Sequence, residues 1–181
     1  MEVYRKTRKA WNVPFHAHAL TFSVRHRLPW LALPGAAEAF LSCLDMARHD
    51  SGFDLWAYVV MPEHVHVVLH PAAEAYRMEE IASAIKTPSA KEILRLYPDL
   101  REECRIVRKG RRDEFAFWQV GGGYDRNLFS AREAWEKIHY AHDNPVRRGL
   151  VEDPCDYPWS SLPAYRGQHP SIPVDPCDWE A

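Results

Sequence analysis

No stretch of this sequence approaches the roughly 20 apolar residues that span a bilayer, and the basic opening Met1-Glu-Val-Tyr-Arg-Lys-Thr-Arg-Lys-Ala-Trp11 lacks the apolar run of a secretory signal. Both absences lead to the expectation of a cytoplasmic protein. Close cysteine pairs are also missing. Cys43, Cys104, Cys155 and Cys177 are widely separated, which argues against a zinc knuckle or a dithiol redox site and for free thiols. Internal repeats and low-complexity tracts are absent. So is the His-Glu-x-x-His pattern, which makes a small zinc hydrolase the weakest reading. Nor is there an excess of positive charge: 23 Lys and Arg against 25 Asp and Glu leave a net charge of -2, whereas affinity for phosphate comes largely from cations.

The average hides a gradient. Arg5, Lys6, Arg8, Lys9, Arg25 and Arg27 make the first thirty residues basic. A second cluster, Arg105, Arg108, Lys109, Arg111 and Arg112, contains no acid, and the tail beyond Pro145 is acidic. A nearly neutral protein can therefore present a basic face to a polyanion; the other reading is that the charges only solvate a surface.

Length and composition fit one domain, since 181 residues with 46% hydrophobic content can fill a single core. Residues 18–24 mix β-branched, aromatic and small side chains as a first strand does. From Gly35 to His49, apolar residues recur at helical steps. Leu55–Val60 and His64–His70 read as a hairpin across Met61-Pro62-Glu63, and Met78–Leu96 as a helix that Pro88 should kink or break. Glu114–Val120 reads as a fourth strand ended by Gly121-Gly-Gly123. A last helix should start at the capping box Ser130-Ala-Arg-Glu133 and stop before Pro145. The order β-α-β-β-α-β-α predicts an α+β ferredoxin-like (RRM-like) sandwich: a four-stranded antiparallel sheet with helices on one face and an extra C-terminal helix and tail. The expected organisation is a basic arm over 1–17, a catalytic domain over 18–145 and a Pro- and Trp-rich tail over 146–181 packed on it.

Alternate residues of a strand share a face, so His64 and His66 project side by side with His70 further along the row, while Val65, Val67 and Leu69 face the opposite way. Two imidazoles so placed can share one metal and leave coordination positions open. They can equally line a sheet face without ligand. In the last helix Tyr140 and Asn144 lie one turn apart on the same side, and a nucleophilic tyrosine or a core aromatic both fit that position.

The linked segments Trp56-Ala-Tyr-Val-Val-Met-Pro-Glu-His-Val-His-Val-Val-Leu69, Phe117-Trp-Gln119, Gly121-Gly-Gly-Tyr-Asp-Arg-Asn127, Tyr140-Ala-His-Asp-Asn-Pro-Val-Arg-Arg-Gly-Leu-Val151 and Tyr157-Pro-Trp-Ser-Ser161 resemble, in order, the REP-associated tyrosine transposases. These are relatives of the IS200/IS605 single-tyrosine transposases in the HUH endonuclease superfamily. The resemblance implies that His64 and His66 bind Mg²⁺ or Mn²⁺, and that Tyr140 is the nucleophile. It implies that Asn144 stands where insertion-sequence relatives carry a metal-binding glutamine. It further implies cleavage and rejoining of single-stranded DNA at hairpins through a 5′-phosphotyrosine, by a monomer or a homodimer associated with the nucleoid when bound to DNA. Two departures stand out: Ala141 where isoleucine is common, and Gly121–Asn127 where some relatives carry a Trp-Glu-His-like stretch. Both basic clusters, with Tyr124 and Arg126, are then the expected DNA contacts. The competing expectation is a domesticated nucleic-acid-binding module of the same fold that no longer cuts.

Overall fold

The computed structural model describes residues 12–107, 113–121 and 123–179. Strand β1 (Ala17–Ser23) sends Leu20 and Phe22 to one face and Ala17 and Ala19 to the other, as the two-residue period of an extended chain dictates. Helix α1 (Ala36–Ser51) buries Phe40, Leu41, Leu44 and Ala47 along one side. Strands β2 (Phe53–Met61) and β3 (His64–Pro71) form a hairpin, followed by α2 (Met78–Leu96) and the short α3 (Leu100–Glu103). The two-residue strands β4 (Arg105–Ile106) and β5 (Glu114–Phe115) pair only with each other. Strand β6 (Tyr124–Leu128) and helix α4 (Ala131–Arg147) complete the order.

The sheet runs β2-β3-β1-β6 and is antiparallel throughout, the ferredoxin-like arrangement expected from the element order. Helices α1 and α2 cover the face carrying Leu20, Phe22, Val65, Val67 and Leu69. The opposite face, which carries the histidines, is crossed by α4, whose Ala134, Ile138 and Ala141 pack on Trp56, Ala57, Val59 and Val68.

The fourth strand is β6, not Glu114–Val120. The aromatic residues that suggested a strand there are buried from an irregular segment: Phe117 and Trp118 enter the core beside Phe22 and Phe40. The segment is pinned to the end of β1 by Arg25 N–H to the Phe117 carbonyl and Gln119 N–H to the Ser23 carbonyl. The true strand, Tyr-Asp-Arg-Asn-Leu, is polar because its core-side carboxylate is matched: Asp125 Oδ1 lies 2.7 Å from Nδ1 of the fully buried His18. The glycines thus precede the strand instead of ending it. At Gly123, φ is +55° and a Cβ would meet the Thr21 carbonyl oxygen at 2.5 Å, so only glycine fits. Gly123→Ala is expected to cost about 2 kcal/mol, to be read as a lowered midpoint in urea unfolding; an unchanged midpoint would show that the turn relaxes freely.

Neither proline ends its helix. α2 runs through Pro88, and the neighbouring carbonyls of Ile85 and Lys86 take the Ser89 hydroxyl, with Lys86 also accepting from Trp118 Nε1. α4 runs through Pro145 to Arg147. Its stop is Gly149 at φ +66°, where Gly149 N–H reaches the Val146 carbonyl and Leu150 N–H the Pro145 carbonyl, a left-handed closure that glycine makes without steric cost.

The tail shields the open edge of β2. Val60 N–H donates to the Trp159 carbonyl and Ser161 N–H to the Tyr58 carbonyl, while the Tyr157 and Tyr165 hydroxyls reach the carbonyls of Val60 and Trp56. An edge so covered cannot template pairing with another chain. His142 of α4 locks this arrangement, its Nε2 2.9 Å from Ser161 Oγ, which also accepts the Tyr58 N–H. Burial, with a smaller contribution from nearby His139, pushes His142 down to about 4. The unfolded chain therefore takes up this proton near pH 6.5 and the folded one only near 4. Stability contributed by the neutral ring is complete above 6.5 and falls as pH drops towards 4, by about 3 kcal/mol. Urea unfolding at pH 7.5 and 4.5 should show this loss in the wild type and a flatter profile in His142→Gln; parallel profiles would remove His142 as the cause.

Candidate active site

Strand register builds a row of side chains across the α4 face: Val59 of β2 lies opposite His66 of β3, His66 opposite Thr21 of β1, and Thr21 opposite Tyr124 of β6. The adjacent row brings Met61 and Ser23 against His64. The two-residue period alone puts both imidazoles on this face. The two-residue connection Pro62-Glu63 puts them at the end of the sheet.

The two rings stand edge to face with centroids 4.8 Å apart, and their Nε2 atoms are separated by 3.0 Å. That is the spacing of two adjacent ligands each about 2.1 Å from one six-coordinate cation. Both distal nitrogens are oriented by neighbours. His64 Nδ1 lies 3.2 Å from Glu63 Oε1 and His66 Nδ1 2.9 Å from Thr21 Oγ1. A carboxylate accepts, so His64 carries its proton on Nδ1 and turns the Nε2 lone pair inward.

Burial lowers the His64 pKa although Glu63 opposes it, and burial with the charges of His64 and Lys137 drives His66 down to about 3. Neutral imidazole is the ligating form. Glu63 is itself buried; desolvation alone would raise its carboxyl, but His64 and Arg148 together hold it below the ordinary value. Arg148 sits 2.9 Å from Glu63 Oε1 and Arg27 3.6 Å. The C-terminal end of α4 is thereby tied to the histidines through one carboxylate. No group of three or more His, Cys, Asp or Glu able to hold a metal occurs among the described residues. Further ligands would have to be amide, water or substrate oxygens.

Tyr140 projects from α4 over this pair, its ring centroid 5.9 Å from that of His66, with the side chain still 45% exposed. Lys137, one turn earlier, places Nζ 5.6 Å from the Tyr140 ring centroid and also 5.6 Å from that of Tyr124, and the Arg147 guanidinium lies 5.0 Å from the Tyr140 ring. An accessible phenol, two cations and two neutral imidazoles meet where a phosphodiester could enter from solvent.

The family described as "Transposase IS200 like" matches residues 12–125. The chain belongs to the IS200-like transposases. The match includes His64 and His66 and stops short of Tyr140. Among solved structures, a REP-associated tyrosine transposase bound to a REP hairpin is similar at a TM-score of 0.66 and 19% identity, over 100% of this chain and 98% of that one. A transposase candidate of Deinococcus radiodurans R1 is similar at a TM-score of 0.49 and 19% identity, over 76% and 97%. No curated protein matches the sequence.

In this transposase the sheet and α4 bring together His64, His66, Tyr140 and Tyr124. Asn144 is buried one turn after Tyr140 on α4, its Nδ2 donating to the Tyr140 carbonyl at 2.7 Å. His70 shares the histidine face but stacks on Trp56 with centroids 5.2 Å apart, away from the pair. Arg126 is paired with Glu133 at 3.0 Å. Arg25 Nη1 donates to the carbonyls of Cys104 and Arg105, anchoring β4. The remaining expected DNA contacts, Arg5, Lys6, Arg8, Lys9, Arg108, Lys109, Arg111 and Arg112, lie outside the described residues. Sequence reasoning missed Thr21, Glu63, Lys137, Arg147 and Arg148. Lys137 and Arg147 were findable, since three before and seven after Tyr140 is one helix face. Thr21 needs the strand register, and Glu63 and Arg148 need the fold.

Proposed function

We propose that this transposase cleaves and rejoins single-stranded DNA at hairpin sites, with Tyr140 as nucleophile and His64, His66 and the Asn144 amide oxygen as ligands of Mg²⁺ or Mn²⁺. The observation that carries this reading is the seating of an accessible tyrosine ring 5.9 Å from the ring of His66, whose Nε2 converges with that of His64 at 3.0 Å. The similar REP-associated transposase, solved on a hairpin, supports the choice of substrate.

In the proposed step Tyr140 Oη attacks phosphorus, an Oη–P bond forms and the P–O3′ bond breaks. Its electron pair leaves on O3′, which takes a proton from water as the phenolic proton passes to water. The product is a 5′-phosphotyrosine and a free 3′-OH. Because the phosphodiester is conserved as a covalent ester, attack by another 3′-OH rejoins strands without an outside energy source. The bound cation supplies Lewis-acid polarisation of the phosphate.

The chain's own residues do the rest. Glu63 and Thr21 orient the two imidazoles, and their burial keeps them unprotonated. Lys137 and Arg147 hold positive charge beside the phenol, where negative charge gathers in the transition state. Arg27, Tyr124 and Arg126, with the basic residues of 1–17 and of 108–112, are the proposed contacts to DNA. The test is incubation with hairpin-bearing oligonucleotides and Mg²⁺ or Mn²⁺, then denaturing electrophoresis. A denaturation-resistant adduct that chelator prevents is the expected result. Tight DNA binding with no cleavage under any metal would instead favour the non-cleaving module.

A further inference from the structure

The geometry points to a second DNA-binding element in this transposase: the cleft between α2 and the segment 115–121 takes a length of single-stranded DNA. This rests on the proposed function only in naming DNA as the polymer. The cleft has a volume of ≈ 740 Å³. Lys86, Lys91 and Arg95 of α2 and Arg101 of α3 line it, and no acidic side chain is among its described lining residues. Arg95 is bonded to Glu92 outside the cleft, whereas the Arg101 guanidinium lies 4.6 Å from the centroid of the Phe115 ring, itself 42% exposed. Cations beside an exposed aromatic face suit a polymer with a phosphate at every step and a base to stack. Phe115 can stack only on a base whose face is uncovered, which selects a single strand over a duplex.

The cleft reaches the C-terminal end of β1. Its far end, Gln119 to Gly121, is bonded to β1 through Gln119 N–H and the Ser23 carbonyl, and Ser23 is the register partner of His64. Two residues beyond, Gly123 rests on the Thr21 carbonyl, in the row of His66 and Tyr124.

Fluorescence anisotropy with labelled oligothymidylates of about 6 and about 20 nucleotides tests this without knowledge of the target hairpin. Lys91 and Arg101 are both exposed, so Lys91→Glu with Arg101→Glu leaves the core intact. For the longer probe this pair should weaken binding at least about tenfold, and the slope of log Kd against log salt should fall by about 1.4, or 0.7 for each lost phosphate contact on a single strand. Phe115→Ala should weaken binding about tenfold with the slope unchanged. The matched reversal Arg77→Glu with Arg166→Glu should stay within about twofold. Binding unchanged in the cleft variants, or weakened equally in the matched control, would overturn the cleft. If adducts still form at Tyr140 in that case, the proposed function stands alone. If no adduct ever forms yet the cleft variants lose the long probe, the cleft stands and the proposed function falls.

Discussion

Tyr140→Phe is expected to eliminate the covalent adduct and to reduce strand cleavage by at least about 10⁴-fold, the scale on which removal of a covalent nucleophile acts. Structure should survive the change. The ring keeps its place against His66 and Arg147, and among the described residues the hydroxyl makes no hydrogen bond whose loss would cost stability. Hairpin binding should stay within about twofold of wild type, because binding and the attacking oxygen are separate contributions. Thermal melting, anisotropy and adduct formation on the same preparation distinguish the two outcomes. A Phe variant that still forms adduct would remove Tyr140 from the chemistry.

His66→Ala is expected to lower cleavage by at least about a thousandfold, since Lewis-acid stabilisation of the transition-state charge is worth several kcal/mol. Excess Mn²⁺ should recover part of this through the ligands that remain. Among the described residues His66 has one hydrogen-bonding side-chain partner besides His64, the half-buried hydroxyl of Thr21, so folding should be little affected. Isothermal titration of Mn²⁺ in the presence of an uncleavable phosphorothioate oligonucleotide provides a readout independent of turnover. Unaltered Mn²⁺ affinity in His66→Ala would contradict the assignment of the pair as ligands.

The first three strands and the histidine pair were legible in the sequence because both depend on periodicity. Val65, Val67 and Leu69 alternate with His64, His66 and His70, and a two-residue period fixes which face each takes. β6 was not legible. Its composition is that of a loop, and the pairing of Asp125 with His18 spans more than a hundred residues. The same non-local cause hid Phe117 and Trp118, whose burial depends on closure against Phe22 and Phe40 and not on a strand of their own. Pro145 looked like a stop because proline removes a donor, yet α4 runs on to Arg147 and ends where Gly149 closes its last turn. At the site, residues on one strand or one helix could be inferred from spacing. The carboxylate link from Arg148 through Glu63 to His64 joins the end of α4 to a hairpin turn, and only the packing of α4 across the sheet creates it.

The most direct test is peptide mass spectrometry of the adduct formed with a hairpin oligonucleotide in Mn²⁺. The expected result is a nucleotide attached through its 5′-phosphate to Tyr140, with the released fragment ending in a 3′-OH. Attachment to any other residue, a released fragment ending in a 3′-phosphate, or cleavage without a covalent species would contradict tyrosine-mediated strand transfer at this site.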